Sequence, residues 1–533
     1  MSKDTFLKGA LILTVAGIIV KVIGSVNRIL LSRLLGGEGI GLYQMAYPIY
    51  LLALSVSSAG IPVAISIIVA EKIARSDYRG ANRVFHISLV VLAITGVLFT
   101  FLLYYGAGWL IDNQFVRDAR AYYAIAALSP AIFFVTVLSS YRGYFQGLQM
   151  MTPTAVSQIF EQLFRVVTMI LLAYMLLPYG LEYAAAGASF GAGPGAVAGL
   201  LVLLYFYWKQ RRVRKYQFEN QPAIKQESVT SIITRIVKLA LPVSLANIML
   251  PVVSSIDLLI VPARLEVAGY TIEQATELFG YLTGMAVALI NLPTILTASL
   301  AASLVPAVSE AFTLRDKGRI YQRTAIAMRI SNLITIPAFA GMCLLATPIS
   351  QMLYGTPNAG TSIAILSVGI VLLGIHQVTT GVLQGLGYTA IPLINMVISA
   401  IFKVVLSWYL TAIPSLGIKG AAWATNVDFG LAAILNMYFV YRYVGFSIDM
   451  KDTFKAIIAT IAMSAAVLLV YDAVMTQIFH NTLSTMAAIV CGGIVYGIVL
   501  LLVGAISTHD VERIPRIGEK LAALLTKLRL LRR

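Results

Sequence analysis

Uninterrupted apolar stretches of roughly 20 residues recur from one end of this chain to the other, each long enough to cross the hydrocarbon core of a bilayer. In that solvent every backbone N–H and C=O must be satisfied within the protein, which leaves only helices and closed barrels. Barrel strands would alternate apolar and polar residues over about ten positions, whereas the runs here are continuous. Charged residues make up 12% of the 533 positions, about half the share in a soluble domain. The chain is therefore expected to be an all-α polytopic membrane protein.

Fourteen spans are read, at about 9–35, 43–70, 84–108, 121–146, 154–177, 183–208, 232–262, 278–309, 324–346, 360–386, 391–413, 419–441, 454–476 and 483–506. Pro48 and Pro62 interrupt the second span, Pro242 and Pro251 the seventh, and Pro293 and Pro306 the eighth. An ordinary packed kink explains each proline singly, although such breaks also mark ligand-facing backbone in transporters. Phe145-Gln146-Gly147-Leu148 recurs as Leu383-Gln384-Gly385-Leu386, and at the same offset of 238 Arg165 falls on Lys403. Pro62-Val63-Ala64, before the basic turn Arg75-Ser76-Asp77, is echoed by Pro306-Ala307-Val308 before Leu314-Arg315-Asp316. Matches in order at a nearly constant offset predict two six-helix lobes in parallel orientation plus two extra C-terminal helices. The expected division is an N-lobe over 1–208, a basic linker over 209–231, a C-lobe over 232–441, helices 13 and 14 over 442–506, and a basic amphipathic tail over 507–533.

The net charge of +16 is a matter of placement. Most Lys and Arg fall in the N-terminus and in 71–83, 140–153, 209–238, 310–329, 380–392, 442–455 and 510–533. The positive-inside rule makes these segments cytoplasmic and puts both termini inside. Loops of this kind meet anionic lipid, and no nucleic-acid partner is expected. Cys343 and Cys491 lie in apolar helices and offer neither a disulfide framework nor metal spacing. Lys21 breaks the first apolar segment, which lacks a cleavage site, so a cleavable signal is not expected.

The remaining cations carry the functional reading, because a charge at membrane depth survives when it faces a cavity, a partner or a ligand. Lys21 and Arg28 share a helix face, and Arg33 follows nearer the span end, where it can snorkel. Arg165 pairs with Glu161 at i, i+4, and Lys403 is its repeat counterpart. Arg142, at a helix end, either sets topology or admits a phosphate-bearing head group. Together these cations require an anionic cargo, and Gln44 is a candidate for its polar part or for interhelical contact. Asp257 and Asp428 are acids within spans. With Asn395 and Thr425 as further oxygen donors they form a candidate Na+ or H+ coupling site, the rival for Asp257 being a pair with a first-span arginine. His376, alone in an apolar helix, reads as a hydrogen-bonded structural residue. No catalytic residue, metal site or other cofactor is expected.

Lys21-Val22-Ile23-Gly24-Ser25-Val26-Asn27-Arg28, Ser32-Arg33-Leu34-Leu35-Gly36, Gly41-Leu42-Tyr43-Gln44 and Ser57-Ser58-Ala59-Gly60-Ile61-Pro62-Val63-Ala64 resemble the stage V sporulation protein B-like transporters. These belong to the multidrug/oligosaccharidyl-lipid/polysaccharide (MOP) exporter superfamily, which also holds the lipid II flippases. The resemblance implies alternating access of two lobes about a central cavity in the bacterial cytoplasmic membrane. It also implies a polyprenyl diphosphate cargo such as lipid II, met by Lys21, Arg28 and Arg165. A sodium site with an acid in the seventh helix would match Asp257. The sequence departs from that pattern. The lipid II flippases carry arginines at the places of Lys21 and Asn27 and an acid at that of Arg28. In their eighth helix an arginine precedes a proline motif, whereas Ala288-Leu289-Ile290-Asn291-Leu292-Pro293 has none. Another lipid-linked polysaccharide precursor, or a drug, is the alternative cargo. An enzyme is not expected, because the outward acids Asp112, Asp118, Glu273 and Glu277 are scattered and no nucleotide-binding loop is present.

Overall fold

The computed structural model describes residues 3–58, 60–221, 226–448 and 450–505. The proposed tail over 507–533 lies outside them. Helices account for almost every described residue, and no strand occurs among them. The described residues fall into two compact units, 1–280 and 281–533.

The first unit opens with α1 (Lys3–Ser58), broken at Gly36, whose φ of 68° no β-carbon favours. It continues through α2 (Ile61–Ala74), α3 (Tyr78–Asp112), α4 (Ala121–Gly147) and α5 (Met151–Leu176). Next come α6 (Leu181–Phe190) and α7 (Ala192–Lys209), parted at Gly191. The short α8 (Arg211–Glu219), the long α9 (Val229–Val267) and α10 (Ile272–Phe279) complete it. Helix α9 packs on α1 and α2 within this unit. The second unit holds α11 (Val287–Thr313), entered through a π-helical turn at Gly280–Ala286, then α12 (Lys317–Leu344), α13 (Ala346–Tyr354) and α14 (Gly360–Gly385). It ends with α15 (Ala390–Leu410), α16 (Ile418–Val444), α17 (Met450–Ile478) and α18 (Asn481–Leu502).

Twelve of these helical stretches are long and apolar enough to cross a membrane. The count differs from the fourteen expected spans at two places. Val15–Ala74 is one continuous stretch of 60 residues, and Ile418–Val444 falls below the apolar criterion although it is 27 residues long. Large apolar side chains point outward, as lipid requires: Ile94, Leu98, Phe101 and Tyr105 on α3 are all exposed. Contacts inside each unit rest on small residues, the usual membrane solution when lipid is as apolar as leucine.

The internal repeat is visible in hydrogen bonds. At the end of α4, the N–H groups of Leu148, Gln149 and Met150 donate to the carbonyls of Tyr144, Gln146 and Phe145. At the end of α14, Leu386, Gly387 and Tyr388 donate to Val382, Gln384 and Leu383, each 238 residues on. Gln149 and Gly387 both take positive φ. The turn before α3 and the turn before α12 match as well: Asp77 accepts from the Gly80 N–H and Asp316 from that of Arg319, with Ser76 and Arg315 at positive φ. Glycines set the packing. A β-carbon on Gly147 would meet Val69 Cβ at 2.7 Å, and one on Gly385 would meet Val308 Cβ at 2.7 Å. The partner of Gly143 is the Pro62 carbonyl, and that of Gly381 is the Ala301 carbonyl. Pro62 therefore answers to Ala301, and the echo between Pro62–Ala64 and Pro306–Val308 is out of register with the packing.

The described residues of the 209–231 segment make specific contacts with the first unit. Within α8 the Arg214 guanidinium lies 3.5 Å from the Tyr207 ring centroid and donates to the Tyr207 carbonyl at 2.7 Å. Beyond α8 the segment is tied to the α2–α3 turn. Lys72 Nζ meets Glu227 at 2.9 Å and Asp77 at 3.1 Å, and Arg235 pairs with Glu71.

Candidate functional site

The densest charge at membrane depth in the first unit lies between α4, α5 and α7. Arg142 Nη2 donates to Glu161 Oε2 at 2.8 Å, and its Nε and Nη2 reach Ser157 Oγ at 3.1 and 3.0 Å. Arg165 Nη2 donates to Glu161 Oε1 at 2.9 Å. One carboxylate thus holds two guanidiniums and leaves one positive charge over. Arg165 Nε is buried without a hydrogen-bond partner among the described residues. Burial of this kind is costly unless geometry and hydrogen bonds compensate. Glycine provides the room: a β-carbon on Gly195 would lie 2.8 Å from both Arg165 Cβ and the Glu161 carbonyl oxygen, and one on Gly199 would crowd Glu161 and Ser157. Three tyrosines of α1 form a wall, with Tyr43 stacked on Tyr47 at 5.6 Å and Tyr50 beyond it at 6.0 Å from Tyr47. Arg165 lies within electrostatic reach of all three, and Arg28 within reach of Tyr43.

The sequence-predicted residues separate accordingly. Arg142 and Arg165 are brought together on Glu161. Arg28 is half-buried near this cluster, whereas Lys21 and Arg33 are exposed. Gln44 is buried on α1 beside Tyr43. Asn27, which carried no role in the reading of the residues, is buried and donates to Met169 Sδ at 3.4 Å, so α1 is pinned to α5 one residue before Arg28.

In the second unit Lys403 and Asp428 are both buried. Ser399 Oγ donates to Asp428 Oδ1 at 2.6 Å. Asn395 Nδ2 donates to Asn436 Oδ1 at 2.8 Å, and Asn436 Nδ2 to Thr380 Oγ1 at 2.9 Å. Thr425 Oγ1 turns back to the Ala421 carbonyl at 3.1 Å. Asp257 is half-buried on α9. Among the described residues no group of three or more His, Cys, Asp or Glu can hold a metal ion. His376 Nε2 is buried without a hydrogen-bond partner among the described residues.

The acid Asp118 has a structural role. It accepts from Arg120 Nε and Nη2 at 3.0 and 2.7 Å and from Thr276 Oγ1 at 2.9 Å, while Arg120 also reaches Glu38 at 2.6 Å. These hydrogen bonds, Asp118's first, hold the Arg120 guanidinium further above its ordinary value. An acid committed in this way is not poised for catalysis.

Membrane-length helices of repeated internal design, with a half-buried charge cluster between α4 and α5 of the first unit, define a polytopic membrane transporter. The sequence profile described as polysaccharide biosynthesis protein matches residues 6–312, more than half of the chain, and that described as MatE matches residues 242–409. The chain is 32% identical to Stage V sporulation protein B of Bacillus subtilis (strain 168), over 97% of this chain and 99% of that protein. It is 28% identical to Lipid II flippase MurJ of the same organism, over 87% and 88% of the two chains. In fold it resembles the lipid II flippase MurJ in an inward closed conformation, with a TM-score of 0.68 and 16% identity over 92% of this chain and 98% of that one. An inward-facing MATE-family multidrug transporter superposes with a TM-score of 0.66 and 17% identity, over 82% of this chain and 98% of that one. The protein belongs to the polysaccharide biosynthesis protein family, among the flippases of the MOP exporter superfamily.

Proposed function

We propose that the protein is an alternating-access flippase for an anionic polyprenyl-diphosphate-linked oligosaccharide, with lipid II as the first candidate cargo. It would act in the bacterial cytoplasmic membrane with both termini inside. The observation that carries this reading is the surplus positive charge of the Arg142–Glu161–Arg165 cluster, with Arg28 close by. A desolvated guanidinium with an unspent N–H recognises phosphate through charge-assisted, bidentate bonds. The relative named as a lipid II flippase supports the cargo class, and the half-buried arginines support a negative charge on it. A multidrug exporter would present acid to cationic drugs, which is opposite to the sign found here. Transport would make no covalent bond. Inward Na+ or H+ flow, with Asp257 as the acid nearest the family pattern, would drive it.

Reconstitution into proteoliposomes tests the reading. The protein should move a fluorescent polyprenyl diphosphate disaccharide across the bilayer, and Arg165→Gln should lower the rate at least tenfold. Equal rates for the diphosphate and for a neutral polyprenyl sugar would overturn it. Drug export that improves on neutralising Arg28 and Arg165 would favour the multidrug reading.

A further inference from the structure

The repeat places a second polar site in the second unit, built from the same positions with its acid moved. At the offset of 238, Arg142, Ser157, Glu161 and Arg165 correspond to Thr380, Asn395, Ser399 and Lys403. The hydrophobic frame agrees, since Phe164-Arg165-Val166-Val167 becomes Phe402-Lys403-Val404-Val405. The facing segment, α6 and α7 in the first unit and α16 in the second, follows its own offset. A β-carbon on Gly187 would meet the Leu172 carbonyl oxygen at 2.9 Å, and one on Gly420 would meet the Leu410 carbonyl oxygen at 2.5 Å. Leu172 and Leu410 are 238 apart, whereas Gly187 and Gly420 are 233 apart. The same shift of 233 carries Tyr205-Phe206 onto Tyr438-Phe439, and Gly195 onto Asp428.

Gly195 is the residue that approaches Glu161 and Arg165 in the first unit. Asp428 is the residue that reaches Ser399, the counterpart of Glu161, in the second. Two substitutions therefore compensate. Where α5 carries the acid, the facing helix has glycine; where α15 carries serine, the facing helix has the acid. Asp428 is the one carboxylate in the sequences of α14, α15 and α16. Lys403 lies one turn from Ser399 on the buried face of α15, and a buried ammonium requires a counter-charge. The place of the second guanidinium, Arg142, is taken by Thr380, which accepts from Asn436.

We infer that Asp428 is the relocated equivalent of Glu161 and acts as counter-charge to Lys403, not as a coupling-ion ligand. The second unit's site is then neutral, and the surplus charge that recognises an anion resides in the first unit. This rests on the proposed diphosphate cargo for its transport consequence, but not for the charge exchange itself.

The purified full-length protein tests both parts separately. In thermal unfolding, Asp428→Asn should lower the midpoint by several degrees. Ser399→Glu added to it, which rebuilds the first unit's arrangement, should recover more than half of the loss. Should the glutamate variant fail to fold, the pair Lys403→Met with Asp428→Asn should still unfold near the wild-type midpoint. An Asp428→Asn midpoint equal to wild type would overturn the inference. So would stabilisation of the wild type by NaCl, relative to choline chloride, that Asp428→Asn abolishes and Ser399→Glu does not restore. For transport, binding of a polyprenyl diphosphate disaccharide should fall at least tenfold in Arg165→Gln and less than threefold in the Lys403→Met, Asp428→Asn pair. Equal losses in the two would refute a neutral second site. Unchanged binding in both would refute the cargo reading while leaving the charge exchange supported by the unfolding data.

Discussion

Glu161 holds two cations on one carboxylate, so its removal should be felt twice. Glu161→Gln strands two half-buried guanidiniums, and the cost of breaking a fully buried pair, about 3–5 kcal/mol, is the upper bound of the loss. The purified protein should unfold at a lower temperature, and Arg142→Gln in the same chain should return part of the loss. An unchanged midpoint in the single variant would show that water already solvates the cluster. Only half of this site was legible in the sequence. Glu161 and Arg165 announce themselves by helical spacing. Arg142 reaches Glu161 from the neighbouring helix, and a local period carries no information about which helix lies alongside. Lys21 and Arg33, equally visible as charges in an apolar run, are exposed. Their helix face is decided by what α1 packs against.

At the scale of elements, close backbone approach does the work that bulky cores do in soluble proteins. Gly147 against Val69 and Gly385 against Val308 are the same contact made twice. Gly147→Leu and Gly385→Leu should each destabilise the protein by about 1–3 kcal/mol or more, the usual cost of overpacking. Gly106→Ala, inside α3 where a β-carbon meets nothing within 4 Å, should not destabilise and should raise stability by up to about 1 kcal/mol. Chemical denaturation of the three variants checks the contrast. The linker offers a second case. Lys72 binds both Asp77 and Glu227, so Lys72→Met should release the segment after α8. Trypsin should then cut at Arg211 to Lys215 several-fold faster than in the wild type, and an equal rate would show that Arg214 on Tyr207 and Arg79 on the Phe218 carbonyl hold α8 without the lysine. The turn repeats were legible as short matched words. The helix-pair registry was not, because the proline echo and the packing glycines follow different offsets.

For the whole molecule, the charge asymmetry of the loops predicts sidedness. With Cys343 and Cys491 replaced, Tyr216→Cys in α8 should react with an impermeant maleimide only from the cytoplasmic side. Asn113→Cys, at the end of α3, should react only from outside. Labelling of both from one side would overturn the two-sided topology and the loop assignment with it. The twelve apolar stretches and the fourteen read spans differ because the first two spans run on as one stretch, bent at Gly36, and because the polar residues of Ile418–Val444 keep that helix out of the count.

Composition and continuous apolar runs were enough to determine an all-helical membrane protein, because no other backbone satisfies itself in lipid. Repeated words separated by 238 residues were enough to reveal that its design is used twice. Which charges meet was decided only by tertiary structure. Arg142 with Glu161, and Asp428 with Ser399, are contacts between helices, set by where glycine lets two backbones close. A sequence records the glycine but not the surface it will face.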